Sequence, residues 1–282
     1  MQHILLFPNV KKDTELTLTA DVANLLVEYG FSVYISDAFL IDADVSYYSG
    51  SIPSQCELMI VIGGDGTVID AVPLALARDI PVLGINLGKV GYLAEIEPSE
   101  LFLLELLVNN DFLLQEKILL DCEVFRNGTL IQKVEAILND VLVSRRTEDS
   151  IASIRVRYNG QKALDYRADG VILSTPQGAT AYSLSCGGPM LSHELAAISL
   201  TPIAPHSFFN RSMVFSDSAI FEVENKGEVP LLLIADGKTI SELPYGAYVN
   251  VYKSQKRLKM ISLKKEGQIQ SIFRKLRRIE SV

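Results

Sequence analysis

Gly63-Gly64-Asp65-Gly66-Thr67 sets one carboxylate among three glycines, directly after the apolar run Leu58 to Ile62. Glycine lets the backbone come close to a ligand. A helix starting near Gly66 would add free N–H groups and a positive dipole end, which suit a phosphate. Asp65 then stands at the carboxyl end of a strand, where open parallel sheets place their ligands. The chemistry this predicts is anion binding beside an acid that can accept a proton. Spacing excludes three other loops. Ile69 fills the place of the third glycine of Gly-x-Gly-x-x-Gly, and no lysine follows the glycines as a Walker A loop requires. Ser183 stands where a hydrolase elbow around Ser185 needs glycine.

Two further segments share this glycine density. Asn86-Leu87-Gly88-Lys89-Val90-Gly91-Tyr92 offers an amide, two flexible backbone positions and a ring that could lie against a base. Ser174-Thr175-Pro176-Gln177-Gly178-Ala179-Thr180-Ala181-Tyr182-Ser183, followed by Gly187-Gly188-Pro189, brings hydroxyls, small residues and one tyrosine. That composition suits a sugar and a flat heterocycle packed closely together.

Strands and helices must alternate to position the first two segments. His3 to Phe7, Ser32 to Ser36, Leu58 to Ile62 and Pro81 to Ile85 read as strands. Asp13 is placed to cap a helix through Leu16, Ala20, Ala23 and Val27 that stops at Gly30. This order predicts a layered α/β domain with parallel pairing, Rossmann-like, over residues 1–120. After about Leu120 the segments become short and strand-like: Cys122 to Arg126, Val134 to Val143, Ser153 to Tyr158, Gly170 to Ser174, Ala219 to Val223, Leu231 to Ile234 and Tyr248 to Lys253. Turn signals such as Asn127-Gly128 and Asn159-Gly160 separate several of them. A β-rich, sandwich-like second domain is expected over 121–262. A helix is expected from about Ser271, with residues 263–282 packing back on the first domain.

The chain has 282 residues, 21% of them charged, with a formal net charge of -8. That length supports two cores, and the acidic balance argues against a nucleic-acid binder. The most apolar stretch, Leu101 to Val108, is too short to span a bilayer, and the N-terminus has no secretory-signal pattern. No membrane partner is expected. Cys56, Cys122 and Cys186 form no Cys-x-x-Cys pair, which fits reduced thiols in a cytoplasmic protein. Between Lys253 and Arg278 stand ten Lys or Arg and one acid, Glu266. This stretch reads more readily as a face paired with acids elsewhere than as a polyphosphate attractor.

The three glycine-rich segments together resemble those of the NAD kinases, enzymes that phosphorylate the adenosine 2′-hydroxyl of NAD using ATP or polyphosphate. The resemblance runs from Gly63-Gly64-Asp65-Gly66-Thr67 to Asp236-Gly237. The first loop is shared with lipid kinases and phosphofructokinases, and the other two segments are more specific. The resemblance implies that Asp65 is the catalytic acid, with Gly66 its backbone partner at the nucleotide. It implies that Tyr92 flanks the adenine and that Asn139 and Asp140 hold ribose hydroxyls. Arg167 and Asp169 would lie near a second subunit's contribution to the NAD site. Thr180, Ala181, Tyr182, Ser183, Leu184 and Ser185 would line the adenine and nicotinamide, with Ala204 closing the pocket. No residue is assigned to a metal, although a divalent ion, Mg2+, is implied with ATP. The shared pocket implies a homodimer or homotetramer, with NAD between the domains.

The sequence departs from the family pattern in places. Asp140 is one methylene shorter than the usual Glu, and Gln177 and Ala179 remove two hydroxyls. Lys238 stands where some relatives have Gln and receives no role. Taken alone, Asn139-Asp140 reads as a strand-entry turn, Arg167 and Asp169 as a surface ion pair, and His193 and His206 as structural. Two other functions share these features: a lipid kinase using the same first loop, and a non-catalytic NAD-sensing module. The segment Thr180 to Ser185 speaks against the first, and Asp65 against the second.

Overall fold

Parallel strands open the chain, and the apolar runs among them, His3 to Phe7, Leu58 to Ile62 and Pro81 to Ile85, are buried on both faces. In this computed structural model the strands are β1 (His3–Pro8), β2 (Ser32–Ser36), β3 (Ser46–Tyr48), β4 (Leu58–Gly63) and β5 (Val82–Asn86). Helices α1 (Thr17–Glu28) and α2 (Asp65–Arg78) connect them. Residues 1–88, 91–206 and 210–264 are described, without the side chains of 162 and 163. The helix expected from Ser271, and Lys265 with the basic residues after it, lie outside them. The chain divides into two units, Met1–Glu116 with Leu258–Val282, and Lys117–Arg257.

The first unit orders its parallel strands β3-β2-β1-β4-β5. Every residue of β4 and β5 is buried, as a continuous apolar run requires. Gly63 pairs with Asn86, so the loops that follow β4 and β5 start side by side. Helix α1 begins four residues beyond Asp13, yet Asp13 still serves its start: its carboxylate accepts the N–H of Thr19 at 2.9 Å and the Thr19 hydroxyl at 2.6 Å. Leu101 to Leu107 forms tight 3-10 turns within Pro98–Leu107, which Val108 ends. No helix among the described residues is long and apolar enough to cross a membrane.

The second unit is strand-rich. Its strands are β6 (Leu113–Arg126), β7 (Thr129–Ile137), β8 (Asp140–Ser144), β9 (Ala152–Tyr158), β10 (Gln161–Ala168) and β11 (Gly170–Ser174). After the one-turn helix α3 (Tyr182–Ser185) come β12 (Ala197–Ile203), β13 (Met213–Ser216), β14 (Phe221–Asn225), β15 (Leu231–Ala235), β16 (Lys238–Leu243) and β17 (Tyr248–Ser262); β6 before Lys117 and β17 after Arg257 belong to the first unit. One sheet runs β13-β12-β11-β8-β15-β16, and the other carries β10-β9-β14-β17. Their inward side chains share one core, with Val141, Val171, Ile198 and Leu233 from the first sheet and Val156, Phe221 and Val249 from the second. This is the expected sandwich-like arrangement.

Two strand expectations change. Val134 to Val143 is not one strand but β7 and β8, broken at Leu138 and Asn139, whose amides turn to the carboxylate of Asp236. Tyr248 to Lys253 is only the start of the 15-residue β17. Strands β3, β10, β12, β13 and β16 carried no sequence signal strong enough to be read. In β10 the polar run Gln161-Lys162 and Asp165 obscures the alternation, and in β12 Pro202 argues against a strand.

Candidate active site

In the first unit, the chain turns at Gly63-Gly64 and enters α2 at Asp65. The Asp65 carboxylate accepts three backbone N–H groups: Tyr92 at 2.9 Å on Oδ2, and Leu93 at 3.0 Å and Ala94 at 3.3 Å on Oδ1. A carboxylate has about four acceptor positions, so Oδ2 keeps one for a further donor. Asp65 thus ties the loop after β5 to the start of α2. Burial, and then the charge of Asp65, push the Tyr92 hydroxyl above the usual phenol range. Asn86 is spent internally: its Oδ1 accepts the Gly88 N–H at 2.8 Å, and its Nδ2 donates to Gly88 O at 3.1 Å. Thr67 Oγ1 accepts from Asn9 Nδ2 at 2.7 Å.

The glycines of this loop differ in why they are glycine. A side chain at Gly63 would collide with Thr67, and one at Gly91 would come within 2.8 Å of the Ala94 carbonyl. At Gly66 a Cβ would meet nothing within 4 Å, and the backbone φ is not left-handed. Packing therefore places no demand on Gly66.

In the second unit the structure gathers Asn139, Asp140 and the segment Thr175 to Ser185. Thr175 N donates to Asn139 O at 2.9 Å, and Thr175 Oγ1 donates to Leu138 O at 2.7 Å. A side chain at Gly178 would collide with the Asn139 carbonyl. The residue that shapes this turn lies outside the site residues that the sequence pattern implies. Asp236 accepts the N–H groups of Leu138 at 2.8 Å, Asn139 at 2.7 Å and Asp140 at 3.2 Å. The Asp236-Gly237 pair, both at positive φ, is a strong hairpin signal between β15 and β16. No local pattern shows that its carboxylate reaches across almost a hundred residues of chain.

Asp140 is 6% exposed. Burial, and then the neighbouring charge of Asp236, push its carboxyl up to about 7. Asp236 is raised as well, by burial, but its three N–H donors favour the anion. Of this pair, Asp140 is the one that holds a proton more readily.

The remaining candidates divide by exposure. Tyr182 and Ser185 are exposed, and the Tyr182 hydroxyl, raised first by burial, bonds to Cys186 and feels Asp140 and Asp169. Thr180 and Ser183 are buried, with their hydroxyls on Gln177 O at 3.0 Å and Thr201 Oγ1 at 3.0 Å. Ala181 and Leu184 are partly buried between them. Asp169 does not pair with Arg167. It accepts Arg145 Nε at 2.6 Å, and Ala168, pointing into the core, turns Arg167 outward. The backbone nevertheless brings these residues near Ala204: Asp169 N donates to Ile203 O at 2.9 Å and His206 N to Arg167 O at 2.7 Å. Ala204 is exposed and strained, with φ 42°. Among the described residues no group of three or more His, Cys, Asp or Glu could hold a metal ion. Cys56, Cys122 and Cys186 are free thiols.

Known proteins match this chain over both units. The model of the ATP-NAD kinase N-terminal domain matches residues 4–112, and that of the ATP-NAD kinase C-terminal domain matches 138–263. An NAD kinase from Natranaerobius thermophilus is 33% identical over 281 residues, 98% of each chain. One from Lachnoclostridium phytofermentans is 35% identical, covering 93% of this chain and 94% of its own. The fold is similar to that of yeast NADH kinase complexed with NADH, with a TM-score of 0.83, 21% identity and coverage of 97% of this chain and 86% of that one. It is also similar to an NAD kinase from Archaeoglobus fulgidus in complex with ATP, with a TM-score of 0.71, 22% identity and 99% coverage of both chains. These likenesses favour neither a lipid kinase nor a silent NAD sensor; from end to end, the chain belongs to the NAD kinase family.

Proposed function

We propose that the residues gathered above carry the NAD kinase reaction, transfer of the terminal phosphoryl group of ATP to the adenosine 2′-hydroxyl of NAD. The observation that carries the donor site is Gly66, a glycine that neither packing nor φ requires. Its open face leaves room for a phosphate against the backbone. Mg2+ enters as part of the substrate, on the ATP phosphates.

In this reading the free acceptor position on Asp65 Oδ2 receives the hydrogen of the 2′-hydroxyl. The 2′-oxygen attacks the γ-phosphorus, the bond between that phosphorus and the bridging oxygen breaks, and ADP leaves. The hydroxyl proton passes to Asp65 and then to solvent. Because phosphoryl transfer proceeds through a loose transition state, positioning does most of the work. Asn139 and Asp140 hold ribose hydroxyls from a turn fixed by Asp236, Thr175 and Gly178. Tyr92 flanks the adenine. The loop Thr180 to Ser185 lines the dinucleotide through Tyr182, Ser185 and its backbone, while Thr180 and Ser183 support it from beneath.

The same reading takes the enzyme as a cytoplasmic homodimer or homotetramer. The three free thiols support the compartment. The exposed Arg167, which the resemblance sets beside a second subunit, supports the assembly. Incubation with NAD, ATP and Mg2+, followed by glucose-6-phosphate dehydrogenase to read NADP, tests the activity. Absence of NADP would overturn it. Light scattering on the eluting protein tests the assembly, and a monomer mass would remove it.

A further inference from the structure

No lysine follows the glycines of Gly63–Thr67 in sequence, yet one stands over them in space. A methyl carbon built on Gly64 would come 2.5 Å from Lys12 Nζ, and one built on Gly88 would come 3.5 Å from the same ammonium. Two bare backbone positions, from the loops after β4 and after β5, thus face one cation.

The turn that carries Lys12 is held at its base. Asn9 N donates to Ile62 O at 2.8 Å, and Asn9 O accepts the N–H groups of Lys12 and Asp13, both at 2.9 Å. The Asn9 side chain accepts Lys11 N at 3.0 Å and donates to Thr67 Oγ1 at 2.7 Å. The Lys12 side chain is exposed, and no hydrogen bond or ion pair holds its ammonium among the described residues. Other lysines behave differently: Lys253, Lys256, Lys259 and Lys264 each pair with an acid. The acid nearest in the loop, Asp65, is turned to the amides of residues 92–94. A cation fixed beside open backbone without a counter-charge is suited to an incoming anion, and lysine binds phosphate as a compact point charge.

We propose that Lys12 binds the phosphoanhydride chain of the phosphoryl donor, whether ATP or inorganic polyphosphate, and supplies the cation that the glycine loop lacks. This rests on the reading of Gly63–Thr67 as the donor site. The full chain is assayed for NADP formation as parent, Lys12→Ala, Lys12→Arg and Lys11→Ala, with ATP and polyphosphate titrated separately. Loss of one charge-assisted contact predicts that Lys12→Ala raises the KM for ATP roughly ten- to a hundredfold, with the KM for NAD within about twofold of the parent. Lys12→Arg should recover most of the loss, and Lys11→Ala should match the parent. Added salt should raise the ATP KM of the parent more steeply than that of Lys12→Ala. A parallel rise with polyphosphate would show that the contact reads the phosphate chain, and a rise with ATP alone would restrict it to the nucleotide. An ATP KM for Lys12→Ala close to the parent value, or an equal rise in the ATP and NAD constants, would overturn the proposal. Gly66→Ala measured alongside separates the two readings. If it raises the ATP KM while Lys12→Ala does not, only Lys12 is misassigned; if neither does, the donor loop falls too.

Discussion

Asp65 has two duties that one substitution can separate. Its carboxylate holds three amides of the neighbouring loop and, in the proposed reaction, receives the 2′-hydroxyl proton. Asn keeps the shape but turns an amide NH2 toward one of those N–H donors and loses the proton affinity. General-base assistance is worth about 10²–10⁴-fold, so Asp65→Asn should lower turnover by that order. NAD affinity should fall far less, because Asn139, Asp140 and Tyr182 remain. Melting should also occur at a lower temperature, since a buried donor left facing another donor costs about 1–3 kcal/mol. Turnover, NAD binding and melting measured on one preparation check this, and turnover within a few-fold of the parent would leave Asp65 a purely structural tie. At pH 8, where Asp140 is ionised, the expected loss of a charge-assisted bond, about 1.5–3 kcal/mol, predicts roughly ten- to a hundredfold weaker NAD binding in Asp140→Ala. Calorimetry showing unchanged affinity in folded protein would remove that role. Asp65 was legible in the sequence because glycines and a strand frame it. Lys12 was not, because its partners are more than fifty positions away.

The turn between β7 and β8 makes a stability prediction that depends on pH. In the folded chain Asp140 is raised to about 7 by burial and by Asp236, whereas an unfolded Asp titrates near ~3.9. The folded state therefore binds the proton more tightly. The resulting contribution to stability is complete below about pH 4 and is lost as pH rises through about 7. Asp140→Asn is neutral at every pH and escapes this loss. Its melting temperature should lie near that of the parent below about pH 4 and above it at pH 8. A difference that does not grow between those values would show that Asp140 is not the protonated partner. The same turn explains why Val134 to Val143 reads as one strand from sequence and folds as two. Alternation is preserved through Ala136, but the amides of Leu138 to Asp140 are taken by Asp236. Gly178→Ala should disturb the element as a whole, since the new methyl would strike the Asn139 carbonyl. Expected outcomes are lower stability and weaker NAD binding together, read by melting and calorimetry. Unchanged NAD affinity would show that Gly178 does not position Asn139.

Across the whole molecule, the basic stretch tests how a charge pattern is resolved. Each lysine of it that the structure pairs finds an acid within its own unit: Lys253 with Asp217 at 2.6 Å, Lys256 with Glu135 at 2.8 Å, Lys259 with Asp79 at 2.8 Å and Lys264 with Glu100 at 2.6 Å. Lys264 is more than a surface partner, with its side chain only 10% exposed and a second bond to Glu95 O at 2.9 Å. Lys264→Glu should therefore leave the KM values for ATP and NAD nearly unchanged while lowering the melting temperature, because two acids would face the new carboxylate. A large, salt-sensitive rise in the ATP KM would instead mark the stretch as a donor-attracting surface.

The sequence by itself determined the parallel core and the glycine loops. A run such as Leu58 to Ile62 can be covered on both faces only inside an α/β layer, and a glycine-framed acid at its end has few other uses. The alternating segments after Leu120 likewise showed a strand-rich second half, although not its count of strands. Only tertiary structure decided which side chains hold the candidate site in shape. Asp236 reaches the turn before β8, Arg145 rather than Arg167 pairs with Asp169, Thr201 takes the Ser183 hydroxyl, and Lys12 stands over Gly64. Each of these contacts joins segments far apart in the chain. Periodicity and spacing report only what neighbouring residues share, so long-range hydrogen bonds and charge pairs take form only once the strands are set in register.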